Sequence, residues 1–176
     1  MRFKWADSHP LMAEYHDAEW GIESHDETYL YEMLVLEGMQ AGLSWLTILK
    51  KREGIRQALN QFDYEIIAKY GEDDFNRLMH TDTMIKNKLK INSIIINAQK
   101  FIEVQQEFGS FDRYIWSFTN FEPVITYFED ESLVPTDNEL SQRISKDLKR
   151  RGFKFVGPVI IYGFLSAIGV IQDRLK

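Results

Sequence analysis

The sequence predicts an all-helical fold, and three observations carry that expectation. Tyr29, Leu30, Met33, Leu34, Glu37 and Ala41 recur at the three-and-four spacing of one helix face. Ile91, Ile94, Ile95, Ala98, Phe101, Ile102 and Gln105 repeat that spacing along a longer segment, Leu89 to Phe108. Ser24-His25-Asp26-Glu27 and Thr136-Asp137-Asn138-Glu139 read as capping boxes, which satisfy the free amides at the head of a helix.

The first box opens the helix from Tyr29 to Ala41. Gly42 loosens its end, and Ser44 caps a second helix that runs to about Glu53. Asp63 caps a short helix through Ile66 and Ile67, and Gly71 stops it. Glu72, Asp73 and Asp74 suit the first turn of the next, where negative charge complements the helix dipole. That helix reaches about His80. A polar stretch, Thr81 to Lys88, leads into the long helix, which Gly109-Ser110 breaks. Phe111 to Phe118 is helical and aromatic-rich. Phe121 to Pro135 is irregular, with room for a short strand at Val124 to Tyr127. The second box opens a helix that Gly152 ends, and the last helix follows Pro158. No repeat, low-complexity segment or linker divides the chain, so one unit over residues 1–176 is expected.

At 176 residues, 44% apolar and 14% aromatic, the chain can bury a sizeable core. It has no cysteine, which excludes disulfides, thiol nucleophiles and cysteine-ligated metals and suits a reducing, cytoplasmic setting. Met1 to Trp20 is rich in Asp, Glu and His and lacks the apolar stretch of a signal peptide. Phe155 to Ile171 is uncharged, but Pro158 and glycines at 157, 163 and 169 interrupt it. A bilayer needs roughly 20 apolar residues. A buried core helix is therefore expected there, and no membrane partner.

The net charge of −6 argues against nucleic acid, but its distribution does not. Thr83 to Ile102 has no acid and carries Lys86, Lys88, Lys90 and Lys100. Leu140 to Gly157 carries Arg143, Lys146, Lys149, Arg150, Arg151 and Lys154 against Asp147 alone. The two segments form either one phosphate-facing surface or two solvated helix faces, and the first reading is preferred. The helix, hairpin, helix arrangement over about 72–106 favours it further, because amides heading the second helix accept an anion and carry no sequence readout.

Glu37 is the informative residue. It occupies a buried position of its helix, where a carboxylate is costly without a partner. Trp5, Tyr15, Trp20 and Trp45 supply flat rings in the same part of the sequence. Large aromatics are usually core. An acid among them suits a planar ligand: a flipped nucleobase stacks on rings and donates hydrogen bonds to the acid, and a cationic one gains more. His9, His16, His25 and His80 lack paired metal-ligand spacing, and His16 alone reads as structural. Asp17 and Glu19 read as solvated.

Five segments together are similar to the DNA-3-methyladenine glycosylase I family. They are Tyr15-His16-Asp17-Ala18-Glu19-Trp20-Gly21, Leu36 through Trp45, Lys50-Lys51-Arg52-Glu53, Trp116-Ser117-Phe118 and Leu148 through Pro158. The likeness covers nearly the whole chain in order. It implies a helix-hairpin-helix glycosylase whose terminal segments pack together beside a base pocket. Such an enzyme acts on alkylated double-stranded DNA, frees 3-methyladenine and leaves an abasic site; nothing in the sequence suggests an obligate oligomer, so a monomer is expected. By the resemblance, Glu37 receives the base's hydrogen bonds, Tyr15 contacts it, Trp45 stacks on it, and Trp5 and Trp20 wall the pocket. Gly42 and Leu43 fall where the family wedges the duplex, and Met84 to Lys90 falls on its hairpin. Lys86, Lys88, Lys90, Arg151 and Lys154 are then the expected phosphate contacts. The family does without the superfamily's usual catalytic aspartate, so Asp112 is given no role. The chemistry suits this, since methylation at N3 puts positive charge on the base and weakens its bond to the sugar.

The sequence departs from the family in two places. The family's structural zinc uses two Cys and two His. Here Phe3 replaces the first Cys, His16 remains, Arg174 stands where the second His falls, and the chain ends before the last Cys. One ligand of four cannot hold zinc, so no metal and no cofactor is expected, with the termini joined by packing. Met12 stands where relatives carry a pocket tyrosine. Two other readings compete: a non-catalytic DNA-binding or damage-sensing module that frees no base, and a helical small-molecule binder without salt-dependent DNA affinity.

Overall fold

The computed structural model describes residues 2–176. The helices are α1 (Pro10–Ala18), α2 (Glu27–Gln40), α3 (Trp45–Ala58), α4 (Tyr64–Ile67), α5 (Glu72–Met79), α6 (Lys88–Phe108), α7 (Phe111–Ser117), α8 (Glu139–Arg150) and α9 (Pro158–Ala167). Strands β1 (Val124–Phe128) and β2 (Ile171–Leu175) complete the fold. The fold is mostly helical, as the spacing predicts.

α2 is the axis of the molecule. Every residue from Leu30 to Met39 is buried, because α3, α6, α7 and α9 pack around it. Phe101 of α6 stacks on Phe111 of α7 with ring centroids 4.4 Å apart, and the Tyr31 hydroxyl donates to the Ile94 carbonyl at 2.8 Å. Asp63, Ser44 and Asn87 cap α4, α3 and α6 through their side chains. Gly109 and Gly152 end α6 and α8 with left-handed φ of 92° and 97°.

Several elements differ from expectation. Asp26, not Ser24, caps α2, accepting from Tyr29 N at 2.9 Å. Glu27 turns away from its own helix and takes amides from Phe111 and Asp112 at 2.7 and 2.9 Å. The second box sits two residues later, between Asn138 and Ser141. α1 was not predicted, although Pro10 at its first position and the His9 cap signal its start. β2 was not predicted either. It pairs in parallel with β1, Val124 opposite Ile171. The uncharged run 155–171 is thereby split between a turn, α9 and the start of β2, and among the described residues no helix is long and apolar enough to cross a membrane.

The two ends of the chain meet at Gly169. Its φ of 81° turns the chain from α9 into β2, and a β-carbon there would lie 2.4 Å from the Ile22 and Glu23 backbone. Gly21 N and Ser24 N donate to the Ser166 and Ile168 carbonyls at 2.8 and 2.9 Å. This seam holds α1 over the open end of α2, where the cavity forms.

Candidate active site

Glu37 lies one turn from the end of α2, where that helix crosses α9. It is 6% exposed, and among the described residues no protein donor bonds its carboxylate. Burial pushes its pKa up to about 8. Gly163 of α9 leaves room for the carboxyl at this crossing, while Gly38 faces the turn before α9 at about ordinary contact distance. A β-carbon on Gly38 would lie 3.4 Å from Phe155 Cβ, and one on Gly163 would lie 2.7 Å from Glu37 Oε2.

Above the carboxylate is a cavity of about 270 Å³, lined by Trp5, Met12, Tyr15, Trp20, Glu37, Gln40, Trp45 and Gly163. The elements deliver these rings from different places. α1 carries Tyr15, buried against the Trp45 ring at 5.3 Å; α3 begins with Trp45; the turn before α1 carries Trp5, edge-on to Trp20 at 5.3 Å. Burial first, and then the nearby Glu37 charge, hold the Tyr15 hydroxyl well above its ordinary pKa, so it stays neutral and able to donate. Trp45 Nε1 is a buried donor without a protein partner. The cavity thus combines flat apolar walls with an unpaired acid, which suits a planar base.

A second hollow of about 360 Å³ shares Glu37, Gln40 and Gly163 and runs outward past Ala41, Gly42 and Leu43 to Thr136, Val159, Ile160 and Tyr162. Gly42, at φ 80°, turns the chain between α2 and α3 and leaves Leu43 38% exposed at the mouth. The pocket therefore opens beside a protruding apolar side chain.

A salt-bridge network stiffens the wall behind Tyr15. Arg52 is bidentate to Glu19 at 2.7 and 2.8 Å and also donates to Glu32 at 2.7 Å; Arg56 donates to Glu32 at 2.8 Å. Glu19 is thus not solvated, contrary to expectation. Burial would raise its pKa, but Arg52 outweighs it and holds the carboxyl below its ordinary value. The signal in the sequence was weak, because Glu19 and Arg52 are 33 residues apart.

The expected phosphate contacts are not all free. Lys86 and Lys88 are exposed at the head of α6, and Lys154 is exposed beyond α8. Lys90 is buried, with its ammonium on the Met39 and Ala41 carbonyls at 2.9 and 2.6 Å, so it cannot also meet phosphate. Arg151 is committed to Asp147 and Glu107 and lies over the Phe108 and Tyr114 rings. At about 1.5 Å rise per residue, Glu107 is roughly 30 Å from Lys88 along α6. Arg151 therefore serves the far end of the molecule. Asp112 pairs with His25 at 2.8 Å, beside the first turn of α2, roughly 15 Å along that helix from Glu37.

Around His16 a further cavity presents Phe3, Trp20, Tyr127, Gln172, Asp173 and Arg174. Phe3 is buried against Trp20 at 5.0 Å, His16 stacks on Trp20 at 5.5 Å, and Asp173 accepts from the Tyr162 hydroxyl. Zinc needs a compact set of His, Cys or carboxylate donors. Among the described residues no such set exists, and the residues around His16 do not fit zinc.

A family model described as methyladenine glycosylase matches residues 5–176. The chain belongs to that family. It is 42% identical to DNA-3-methyladenine glycosylase 1 of Escherichia coli (strain K12), covering 99% of this chain and 93% of that protein. It is 39% identical to DNA-3-methyladenine glycosylase of Haemophilus influenzae, over 99% and 95%. A crystal structure of 3-methyladenine DNA glycosylase I superposes with a TM-score of 0.96 at 42% identity, covering all of this chain and 97% of that one. The Staphylococcus aureus enzyme, solved to define its 3-methyladenine recognition, superposes at 0.93 with 38% identity, over 96% and 90%.

Gln40 and Gly163 line the cavity and were not expected from sequence. Gln40 follows Glu37 by one helical turn, so the same face carries both. Gly163 was visible only as a small residue inside an apolar helix.

Proposed function

We propose that this chain removes 3-methyladenine from alkylated duplex DNA, taking the flipped base into the cavity above Glu37. The observation that carries this reading is the unpaired, buried Glu37 carboxyl at the floor of a ring-walled pocket. Buried acids ordinarily have partners. Here the partner would be the donor edge of the purine, and the Trp45 and Tyr15 rings would bracket its faces, with Trp5 and Trp20 closing the wall.

Little chemical assistance is required. An N3-methylated adenine carries positive charge while attached to the sugar. When the bond from C1′ to N9 breaks, its electron pair moves into the purine and neutralises that charge. Water then adds its oxygen to C1′ and loses a proton to solvent, leaving an abasic site. The protein's part is to hold the base out of the stack and select it. Glu37 would favour a base with positive charge over a neutral one, since only the former compensates a desolvated carboxylate.

Duplex contact would come from two places. Lys86 and Lys88, with the Lys88 and Leu89 amides free of protein acceptors among the described residues, would hold a backbone phosphate. Gly42 and Leu43 would fill the gap left by the flipped nucleotide. The deciding experiment compares release of 3-methyladenine from methylated DNA by the wild type and by Glu37→Gln. Release by the wild type and a loss of about 100-fold or more in the variant is expected for a recognition group in a dry site. No release by the wild type would refute the enzyme reading.

A further inference from the structure

Lys90 is a buried cation without a carboxylate partner among the described residues. It is 7% exposed, and its ammonium donates to two main-chain oxygens only, Met39 O and Ala41 O. Those carbonyls belong to the end of α2, where the last C=O groups have no intrahelical N–H donor. Between them stands Gln40, which lines the base cavity, and one residue beyond comes Gly42 with the exposed Leu43. Leu43 N closes the turn on Gln40 O at 2.6 Å. Lys90 itself sits on the first turn of α6, beside the exposed Lys88 and the 72% exposed Leu89. One side chain therefore bridges the two places that would touch DNA.

We infer that Lys90 is a positioning residue: its grip on both carbonyls fixes the distance between the phosphate-holding head of α6 and the Leu43 turn. This rests on the proposed glycosylase reading. A charge-assisted pair of hydrogen bonds in a dry site is stiff. With it in place, a phosphate held at Lys88 and a side chain inserted at Leu43 address one duplex at a fixed spacing. Without it, each contact persists but their register loosens. Misplacement of about 1 Å suffices to slow a reaction without weakening binding.

The test uses the full chain as wild type, Lys90→Met, Lys90→Arg, Leu43→Ala and the Lys90→Met/Leu43→Ala pair. Three quantities are measured: single-turnover base release from methylated duplex, stabilisation by free 3-methyladenine, and the salt dependence of binding to abasic duplex. Lys90→Met is expected to slow release at saturating enzyme by about ten-fold or more, the size of losing one charge-assisted bond pair. Free-base stabilisation and the salt slope should stay unchanged, and the double variant should be no slower than its slower parent. A salt slope lower by about one, with release at saturation unchanged, would make Lys90 a phosphate contact and overturn the inference. Equal losses in release and in free-base stabilisation, or additive losses in the pair, would show a purely structural role. If Lys90→Met does not fold, the same cycle with Lys90→Arg decides by the same additivity. A wild type that frees no base would sink the glycosylase reading; a wild type that frees base, with Lys90→Met releasing it at the wild-type rate, would sink the Lys90 inference alone.

Discussion

Gly163 faces Glu37 so closely that a β-carbon on it would stand 2.7 Å from Oε2. The contact explains how a carboxyl can sit where two helices cross: α9 offers no side chain at that point. Gly163→Ala should push the carboxyl toward Gln40 and shrink the cavity floor. The expected result is at least about a ten-fold loss of free 3-methyladenine affinity, with destabilisation of about 1–3 kcal/mol from overpacking. Thermal shift by the free base and urea unfolding measure the two separately. Wild-type affinity in the alanine variant would show that the Glu37 side chain is not held by this crossing.

Glu37 also makes stability depend on pH in a defined direction. In the unfolded chain it ionises near its ordinary value of 4.5, and in the folded chain at about 8. Below 4.5 both states are protonated and the group is neutral to stability. Between the two values the unfolded state releases the proton first, so stability falls as pH rises, and above 8 the full cost is present. That cost is at most about 5 kcal/mol. Glu37→Gln removes it. The variant should therefore unfold at higher temperature than the wild type at pH 9, with the gap closing toward pH 5. Parallel melting curves for the two proteins across that range would contradict a desolvated carboxyl.

A bound cationic purine should reverse this cost. With the ligand's charge beside it, Glu37 ionises at lower pH, so binding releases a proton when the solution lies below about 8. Calorimetric titration at pH 7 in two buffers of different ionisation enthalpy should show that proton for a permanently charged N-methylated purine. Glu37→Gln should show none. Equal proton release by both proteins would assign the titration to another group.

Arg52 is the keystone behind Tyr15. It is held by Glu19 at the end of α1 and by Glu32 within α2, and both acids are largely buried with it. Arg52→Ala would leave two carboxylates without their main partner. A loss of about 3–5 kcal/mol in urea unfolding is expected, because removing one member strands buried charge. Arg52→Lys should recover only part, since an ammonium cannot reproduce the bidentate geometry. Loss below about 1 kcal/mol would show that Arg56 alone suffices.

What the sequence disclosed and what it hid separate by range. α2 and α6 were legible because each repeats one spacing over many residues within a single segment. Ser44, Asp63 and Asn87 act within three residues of themselves, so their caps or hairpin positions could be placed locally. Glu37 was legible for a different reason: an acid on an apolar face is a local contradiction. β2 was hidden because its partner is 47 residues away and its sequence, Ile171-Gln172-Asp173-Arg174-Leu175, has no strong strand pattern. Lys90 and Arg151 read as solvent-facing cations because nothing nearby in sequence announces carbonyls at Met39 and Ala41 or a carboxylate at Glu107. Gly163 matters only through a contact between α2 and α9. Composition and spacing show which residues are unusual, while the three-dimensional approach of distant segments decides what each one does.

Phe3 supplies the remaining prediction, because it stands where the family would place a metal ligand. Its ring is buried against Trp20 and lies 6.1 Å from His16, while the Lys4 and Trp5 amides donate to Glu131 at 3.0 and 3.3 Å. These contacts tie the first residues to the segment after β1, and β1 in turn pairs with β2. The seam is thus made of rings, amides and a strand ladder. Chelator treatment should leave the melting temperature unchanged. Phe3→Ala should lower stability by about 3–5 kcal/mol, the usual cost of emptying a buried phenylalanine site. It should also weaken free 3-methyladenine binding, because Trp5 and Trp20 share that wall with the base cavity. A melting temperature that falls with chelator and returns with added zinc would mean that a metal, not Phe3, closes the seam.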